Sequence, residues 1–186
     1  YLRPVTWMSF VFDASPFGLG GFLCINGTIV EYFSSALTPF DCNMFNAPLG
    51  DAMGQQTWEA LALLVGLKLW LPLWKSHRVA LAVEGDNVGA LTLLSKFKAA
   101  GKGPGMIARE MALLFSEASF EPRCISHIPG ISNIIADMLS RKHDPKKSYT
   151  LPAALAHARE VFPPPRNKDY YLSLRPASQR EIEGPQ

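Results

Sequence analysis

The chain has 186 residues, of which 48% are hydrophobic and 18% charged, with a formal net charge of +2. These values exclude a disordered chain and leave room for one domain with a sizeable core plus an appended segment. Three cysteines without close spacing exclude a disulfide framework and a structural zinc site, so free thiols are expected.

The first residue is Tyr1, so a fragment or processed product is expected, and no secretory leader precedes the first strand. Thr6 to Asp13, TWMSFVFD, reads as that strand, rich in strand-forming aromatics. Asp13 ends it. A buried carboxylate there requires a hydrogen-bonded partner or a metal. Gly18 to Ile25 and Thr28 to Ser34 read as two more strands. Asn26-Gly27 between them is a two-residue hairpin signal, which predicts an antiparallel meander.

Leu37 to Gly54, punctuated by two prolines and two glycines, reads as irregular: a lid, a binding loop or an ordered detour. Gln55 to Trp74 reads as one long helix through Trp58, Leu61, Leu64, Val65, Leu69 and Leu73, with Pro72 marking its end or a kink. Its apolar part, interrupted by Lys68 and Pro72, falls short of a membrane span, so no membrane is expected as a partner. Arg78 to Val83 reads as a buried strand ending in Glu84-Gly85-Asp86-Asn87. A helix follows from Val88 to Phe97, then a glycine-rich connection over Lys98 to Gly105, then a helix over Met106 to Ser119. Pro122 to Ile128 holds the next strand. Pro129-Gly130 turns the chain, and Ser132 or Asn133 can cap a last helix running through Ser140.

The order β-β-β-α-β-α-α-β-α predicts an α/β fold: a mixed five-stranded sheet, three strands antiparallel and two parallel, with helices on both faces. Residues 1–141 are expected to form this domain. Residues 142–186 are expected to be a proline-rich extension or linker, alone or packed on the core. The charge splits accordingly: residues 1–140 carry 9 Lys/Arg and 11 Asp/Glu, and residues 141–186 carry 9 and 5. The basic tail fits either a weak nucleic-acid contact or plain solvation. Leu151 to Val161 reads as one short helix, and Tyr170, Tyr171 and Leu172 as an extended docking segment.

If the fourth strand lies parallel beside the first, Asp13 and Asp86 share one sheet edge, where ligand sites form. Glu59 and Asp137, each on a helix, can reach the same place. Four carboxylates without positive partners cannot stay ionised cheaply, and divalent cations solve that problem. Hard oxygen ligands suit Mg²⁺ or Mn²⁺, and a pair of ions about 4 Å apart supports phosphodiester hydrolysis. Each acid taken singly is more often a cap or a surface charge, and it is the four together that point to a metal site.

These residues carry a resemblance. Phe12-Asp13-Ala14-Ser15 with Gly18 and Gly20, Gln56-x-x-Glu59-Ala60-Leu61 and Glu84-Gly85-Asp86-Asn87 are three of its pieces. The most specific is His127-Ile-Pro-Gly-Ile-Ser-Asn133-Ile-Ile-Ala-Asp137-Met-Leu-Ser-Arg141. Together they resemble the ribonuclease H domain of retroelement reverse transcriptases, of the LTR or tyrosine-recombinase type, over Thr6 to Arg141. Ser35-Ala36-Leu37-Thr38 resembles the end of that domain's third strand.

The resemblance implies a metal-dependent endonuclease cutting the RNA strand of RNA/DNA hybrids. Asp13, Glu59, Asp86 and Asp137 fall on its four metal-binding carboxylates, which hold two Mg²⁺ ions, Mn²⁺ being the alternative. His127 falls on a mobile histidine that assists proton transfer or product departure; a packing histidine is the other reading. Asn133 positions the loop or a substrate backbone, or simply caps the helix. Ala14, Ser15, Gly18 and Asn87 are candidate backbone contacts to substrate. Lys96, Lys98, Lys102 and Arg109 are candidate phosphate contacts or ordinary solvated charges, standing in for the basic protrusion of some relatives. The implied partner is a polymerase domain in the same polyprotein. The implied location is intracellular, cytoplasmic or nuclear, or within retroelement particles. The competing readings are a structure-specific DNA nuclease or exonuclease, and a catalytically weak or inactive nucleic-acid-binding module of the same fold. The sequence assigns no oligomeric state.

Overall fold

The structure is a computed structural model that describes residues 6–76, 79–96, 102–118, 124–127 and 133–174. Strands β1 (Thr6–Ser15), β2 (Gly18–Ile25) and β3 (Thr28–Ala36) form the expected meander. Asn26 and Gly27 both take positive φ, 50° and 81°, the geometry that suits a two-residue hairpin turn between twisted strands. β4 (Val79–Gly85) lies parallel to β1, and β5 (Cys124–His127) lies parallel to β4. The five strands thus form the expected mixed sheet. A two-residue strand from the tail, β6 (Arg159–Glu160), extends it beyond β3, giving the order β5-β4-β1-β2-β3-β6.

The 37–54 segment is more regular than its sequence suggests. It contains helix α1 (Pro39–Phe45), started by a capping box in which Thr38 and Asp41 satisfy each other's backbone amides, with Pro39 in the first turn. A 3-10 turn, Ala52–Gly54, then leads into α2 (Gln55–Leu69). The expected single helix to Trp74 is two: α2 ends before Trp70, and α3 (Leu71–Ser76) restarts with Pro72 near its beginning. A proline tolerates the first turn of a helix, where its missing N–H has no partner to lose. α4 (Val88–Lys96) follows β4, and α5 (Lys102–Ala118) begins inside the segment expected to be a glycine-rich connection. α6 (Ile134–Ser140) is the last helix. The Pro129-Gly130 turn and the Ser132 cap lie outside the described residues.

Two apolar layers sandwich the sheet. Phe10 and Phe12 point to the α2 side, where Trp58, Leu61, Leu64 and Trp70 complete the main core. Val11 points the other way, to a smaller cluster with Phe22, Tyr32, Ala136, Leu139 and Leu155. This is the two-residue alternation of a strand. Asp13, two residues beyond Val11, falls on the α6 side. There α6 packs so closely on β2 that a Cβ on Gly20 would lie 2.5 Å from the Ser140 amide nitrogen. Only glycine permits that approach.

The tail is laid across the same core. The helix expected over Leu151–Val161 does not form. A short 3-10 turn, Ala153–Leu155, buries Leu155, and the chain then straightens to pair with β3 as β6. Edge pairing and Pro152 outweigh the helical spacing. Arg166 and Asp41 form a buried ion pair. Tyr170 and Tyr171 dock, but only Tyr171 is extended: Tyr170 ends a 3-10 turn in which Asn167 Oδ1 accepts from the amides of Asp169 and Tyr170, and Leu172 begins another. Tyr171 is fully buried beside Phe40 and Phe45. Glu110 of α5 accepts from the amides of Leu172 and Ser173 and from Lys68 Nζ. Among the described residues no helix is long and apolar enough to cross a membrane.

Candidate active site

The parallel register of β1 and β4 runs from Thr6 opposite Val79 to Val11 opposite Glu84. Continued by two residues, it sets Asp13 level with Asp86 just past the end of β4, while β1 runs two residues beyond Asp13 to Ser15. The β4–β5 register sets His127 opposite Gly85, so the β5 backbone brings that residue to the same sheet edge. α2 crosses the sheet and delivers Glu59. One carboxylate oxygen from each of Asp13, Glu59 and Asp86 lies within 4.8 Å of the other two.

This arrangement is electrostatically costly. Burial pushes the Asp13 carboxyl up to about 7; the Ser140 hydroxyl opposes the rise, while Asp86 and Asp137 add to it and Arg141 counters. Burial likewise holds the Glu59 carboxyl well above the usual range, reinforced by Asp13 and Asp86 and opposed by its hydrogen bond from Gln55. Ser140 Oγ donates to Asp13 Oδ2 at 2.7 Å. Gln55 Nε2 donates to Glu59 Oε1 at 2.7 Å and to the Ala14 carbonyl at 2.6 Å. Among the described residues, Glu59 Oε2 is buried without a hydrogen-bond partner. Such an orphan acceptor costs about 1–3 kcal/mol, more if charged. Three clustered carboxylates and one orphaned oxygen fit a divalent cation with hard oxygen preference.

Asp137, the fourth expected acid, stands on α6 close enough to influence Asp13, but it is not in the tight trio. Its Oδ1 accepts from Arg141 Nε one helical turn on. Asn133 precedes α6 but does not cap it through its side chain; its buried Nδ2 donates to the Phe12 carbonyl at 3.1 Å and ties α6 to β1. Its Oδ1 is buried without a hydrogen-bond partner among the described residues.

The expected substrate contacts divide. Ser15 Oγ is engaged within the chain, donating to the Ser140 carbonyl at 2.7 Å and accepting from the Gly18 amide. Gly18 lies under Ser140, and the Ala14 carbonyl is held by Gln55. Asn87 Oδ1 accepts from the Ala90 amide and starts α4. Lys102 and Arg109 are exposed on α5. Lys102 borders a cleft of about 610 Å³ that is also lined by Asn43, Asn46, Gln56 and Thr57. Lys98, and the side chains of Lys96 and His127, lie outside the described residues.

Three participants carried no expected role. Gln55, Ser140 and Arg141 each touch one of the four acids. For two of them the signal was helical spacing: Gln55 is four residues before Glu59, and Arg141 is four after Asp137. Ser140 reaches Asp13 on β1, a contact that no local spacing announces.

Neither a protein-family model nor a curated protein matches the sequence. Solved structures do. One is LC11-RNase H1, isolated from compost by a metagenomic approach, with a TM-score of 0.51 at 15% identity over 75% of this chain and 94% of that one. Another is RNase H1 from the halophilic archaeon Halobacterium salinarum NRC-1, with a TM-score of 0.45 at 15% identity over 73% and 94%. The likeness to the compost enzyme establishes a ribonuclease H fold.

Proposed function

We propose that the chain is a divalent-metal-dependent endonuclease that hydrolyses the RNA strand of RNA/DNA hybrids, as the ribonuclease H domain of a retroelement reverse transcriptase. The observation that carries this reading is the meeting of the carboxylates of Asp13, Glu59 and Asp86 at the strand ends of a ribonuclease H fold. The His127 to Arg141 motif supports the retroelement context.

In this reading Asp13, Glu59 and Asp86 hold the first cation, and Asp137 contributes to a second. The cations, Mg²⁺ or Mn²⁺, supply an activated water and charge neutralisation at phosphorus. Gln55 and Ser140 fix the rotamers of Glu59 and Asp13. Asn133 fixes α6 against β1, which sets the position of Asp137. His127, carried to the site edge by β5, handles a proton or eases product departure. Lys102 and Arg109, with Lys96 and Lys98, meet backbone phosphates, and Ala14, Ser15, Gly18 and Asn87 shape the surface beside them. Recognition then rests on groove shape and 2′-hydroxyls, and binding weakens with salt. The catalytic unit spans residues 1–141, with the tail strapped over it. The partner is the polymerase domain of the same polyprotein, in an intracellular setting.

The test is cleavage of matched RNA/DNA, RNA/RNA and DNA/DNA duplexes by the full chain, with Mg²⁺ and with chelator. Cutting of the RNA strand of the hybrid alone, abolished by chelator, is expected. Cutting of branched or duplex DNA, or binding without cutting, would replace the proposal with a DNA nuclease or an inactive binding module.

A further inference from the structure

The 37–54 segment forms one wall of the cleft of about 610 Å³, through α1 and the 3-10 turn that follows it. The first turn of α2 and the start of α5 supply the rest of the lining. Gly103 lets α5 close against both: a Cβ there would lie 3.0 Å from Thr57 Oγ1 and 3.3 Å from Phe45 Cδ1. The volume falls in the range of sites that hold one small organic molecule, about 300–1,000 Å³.

The lining combines three chemistries. Met44, Phe45 and Met53 are apolar, and Met53 is 91% exposed. Asn43, Asn46 and Gln56 bring exposed carboxamides, each a donor and an acceptor. Among the described residues no hydrogen bond engages these three side chains. Lys102 adds one positive charge, and no acid lines the cleft. The complementary ligand has a flat apolar face, a hydrogen-bonding edge and a negative charge. A nucleotide has all three. Within a double helix its base face is stacked away, whereas an unpaired base offers face and edge together. Gln56 stands three residues before Glu59, about 4.5 Å along the α2 axis, so the cleft flanks the acidic trio.

We propose that this cleft binds one unpaired nucleotide of a single strand. Its base lies against Met44, Phe45 and Met53, its edge meets Asn43, Asn46 and Gln56, and its phosphate meets Lys102. The site goes beyond hybrid cleavage and needs no metal. It gives the domain a second, sequence-tolerant hold on nucleic acid.

The experiment is binding of fluorescein-labelled pentadeoxythymidylate, pentauridylate and an abasic strand of the same length to the full chain in chelator, followed by fluorescence anisotropy. The abasic strand should bind at least about tenfold more weakly than the better pentamer. The double variant Asn46→Gly, Gln56→Ala should weaken that pentamer about tenfold with an unchanged melting temperature; glycine suits the left-handed backbone of Asn46, at φ 51°. Lys102→Gln should lower the slope of log affinity against log salt by about 0.7. The preferred pentamer assigns the strand as DNA or RNA. A second measurement needs no variant: the pentamer should shift the side-chain amide resonances of Asn43, Asn46 and Gln56, and a blunt DNA duplex should not. Unmoved amides, equal binding of the abasic strand, or a double variant that binds like wild type overturns the proposal. Because chelator is present throughout, these outcomes stand apart from any failure of the nuclease reading.

Discussion

Arg166 reaches the core from the tail and is the contact most exposed to a decisive mutation. Its guanidinium makes five hydrogen bonds: Nε to both oxygens of Asp41, Nη2 to Asp41 Oδ2 and to the Ala36 carbonyl, and Nη1 to Ser35 Oγ. The Arg166 side chain is 3% exposed and the Asp41 side chain 0%. Arg166→Met keeps much of the volume but leaves Asp41, among the described residues, with only the Thr38 amide and hydroxyl as side-chain partners. Stranding one charge of a buried pair costs about 3–5 kcal/mol. At about 2–4 °C per kcal/mol for a chain of this size, the melting temperature should fall by roughly 6–20 °C. The double variant Arg166→Met, Asp41→Asn removes the stranded charge and should recover part of that loss. Urea denaturation of the three proteins measures both effects. A single-variant loss under about 1 kcal/mol would mean that the tail does not brace α1 in solution. A double variant no more stable than Arg166→Met alone would show that the stranded charge was not the cause.

Asp86→Asn should lower any metal-dependent cleavage by at least about a hundredfold while near-ultraviolet circular dichroism stays unchanged; near-normal activity would break the assignment. His127→Ala should slow turnover yet keep metal-induced thermal stabilisation, and loss of that stabilisation would give the histidine a different role. Asp13 predicts a pH dependence with a definite sign. Its carboxyl is raised to about 7 in the fold from an ordinary 3.8. The folded state therefore holds the extra proton between these values, so Asp13's contribution is present in full below the lower one and is lost as pH rises to about 7. The cation-free protein should lose stability over that window relative to Asp13→Asn, as measured by denaturation at several pH values; parallel pH profiles for the two proteins would refute the raised carboxyl. Cation binding displaces that proton, so cation affinity should rise with pH up to about 7.

Much of the sheet was legible because its signals are local. Aromatic strands, Asn26-Gly27 and the alternation of strands with helices define a meander followed by two parallel strands. The meeting of Asp13 with Asp86 followed from strand ends alone. What the sequence hid depends on competition between nearby signals. Thr38-Pro39-x-Asp41 is a helix start, but the surrounding prolines and glycines masked α1. The helical spacing of Leu151–Val161 lost to edge pairing with β3, a contact made more than a hundred residues away. Gln55 and Arg141 escaped notice because each acts on an acid one turn along the chain, a pair that has meaning only once the acid's direction is known, and Ser140 because the acid it holds, Asp13, is 127 residues away on β1.

A crystal of the full chain soaked in Mn²⁺ and measured at the manganese absorption edge tests the central claim most directly. An anomalous peak within bonding distance of carboxylate oxygens from Asp13, Glu59 and Asp86 together is predicted. Manganese bound elsewhere, with the Glu59 oxygen still lacking a partner, would contradict the account.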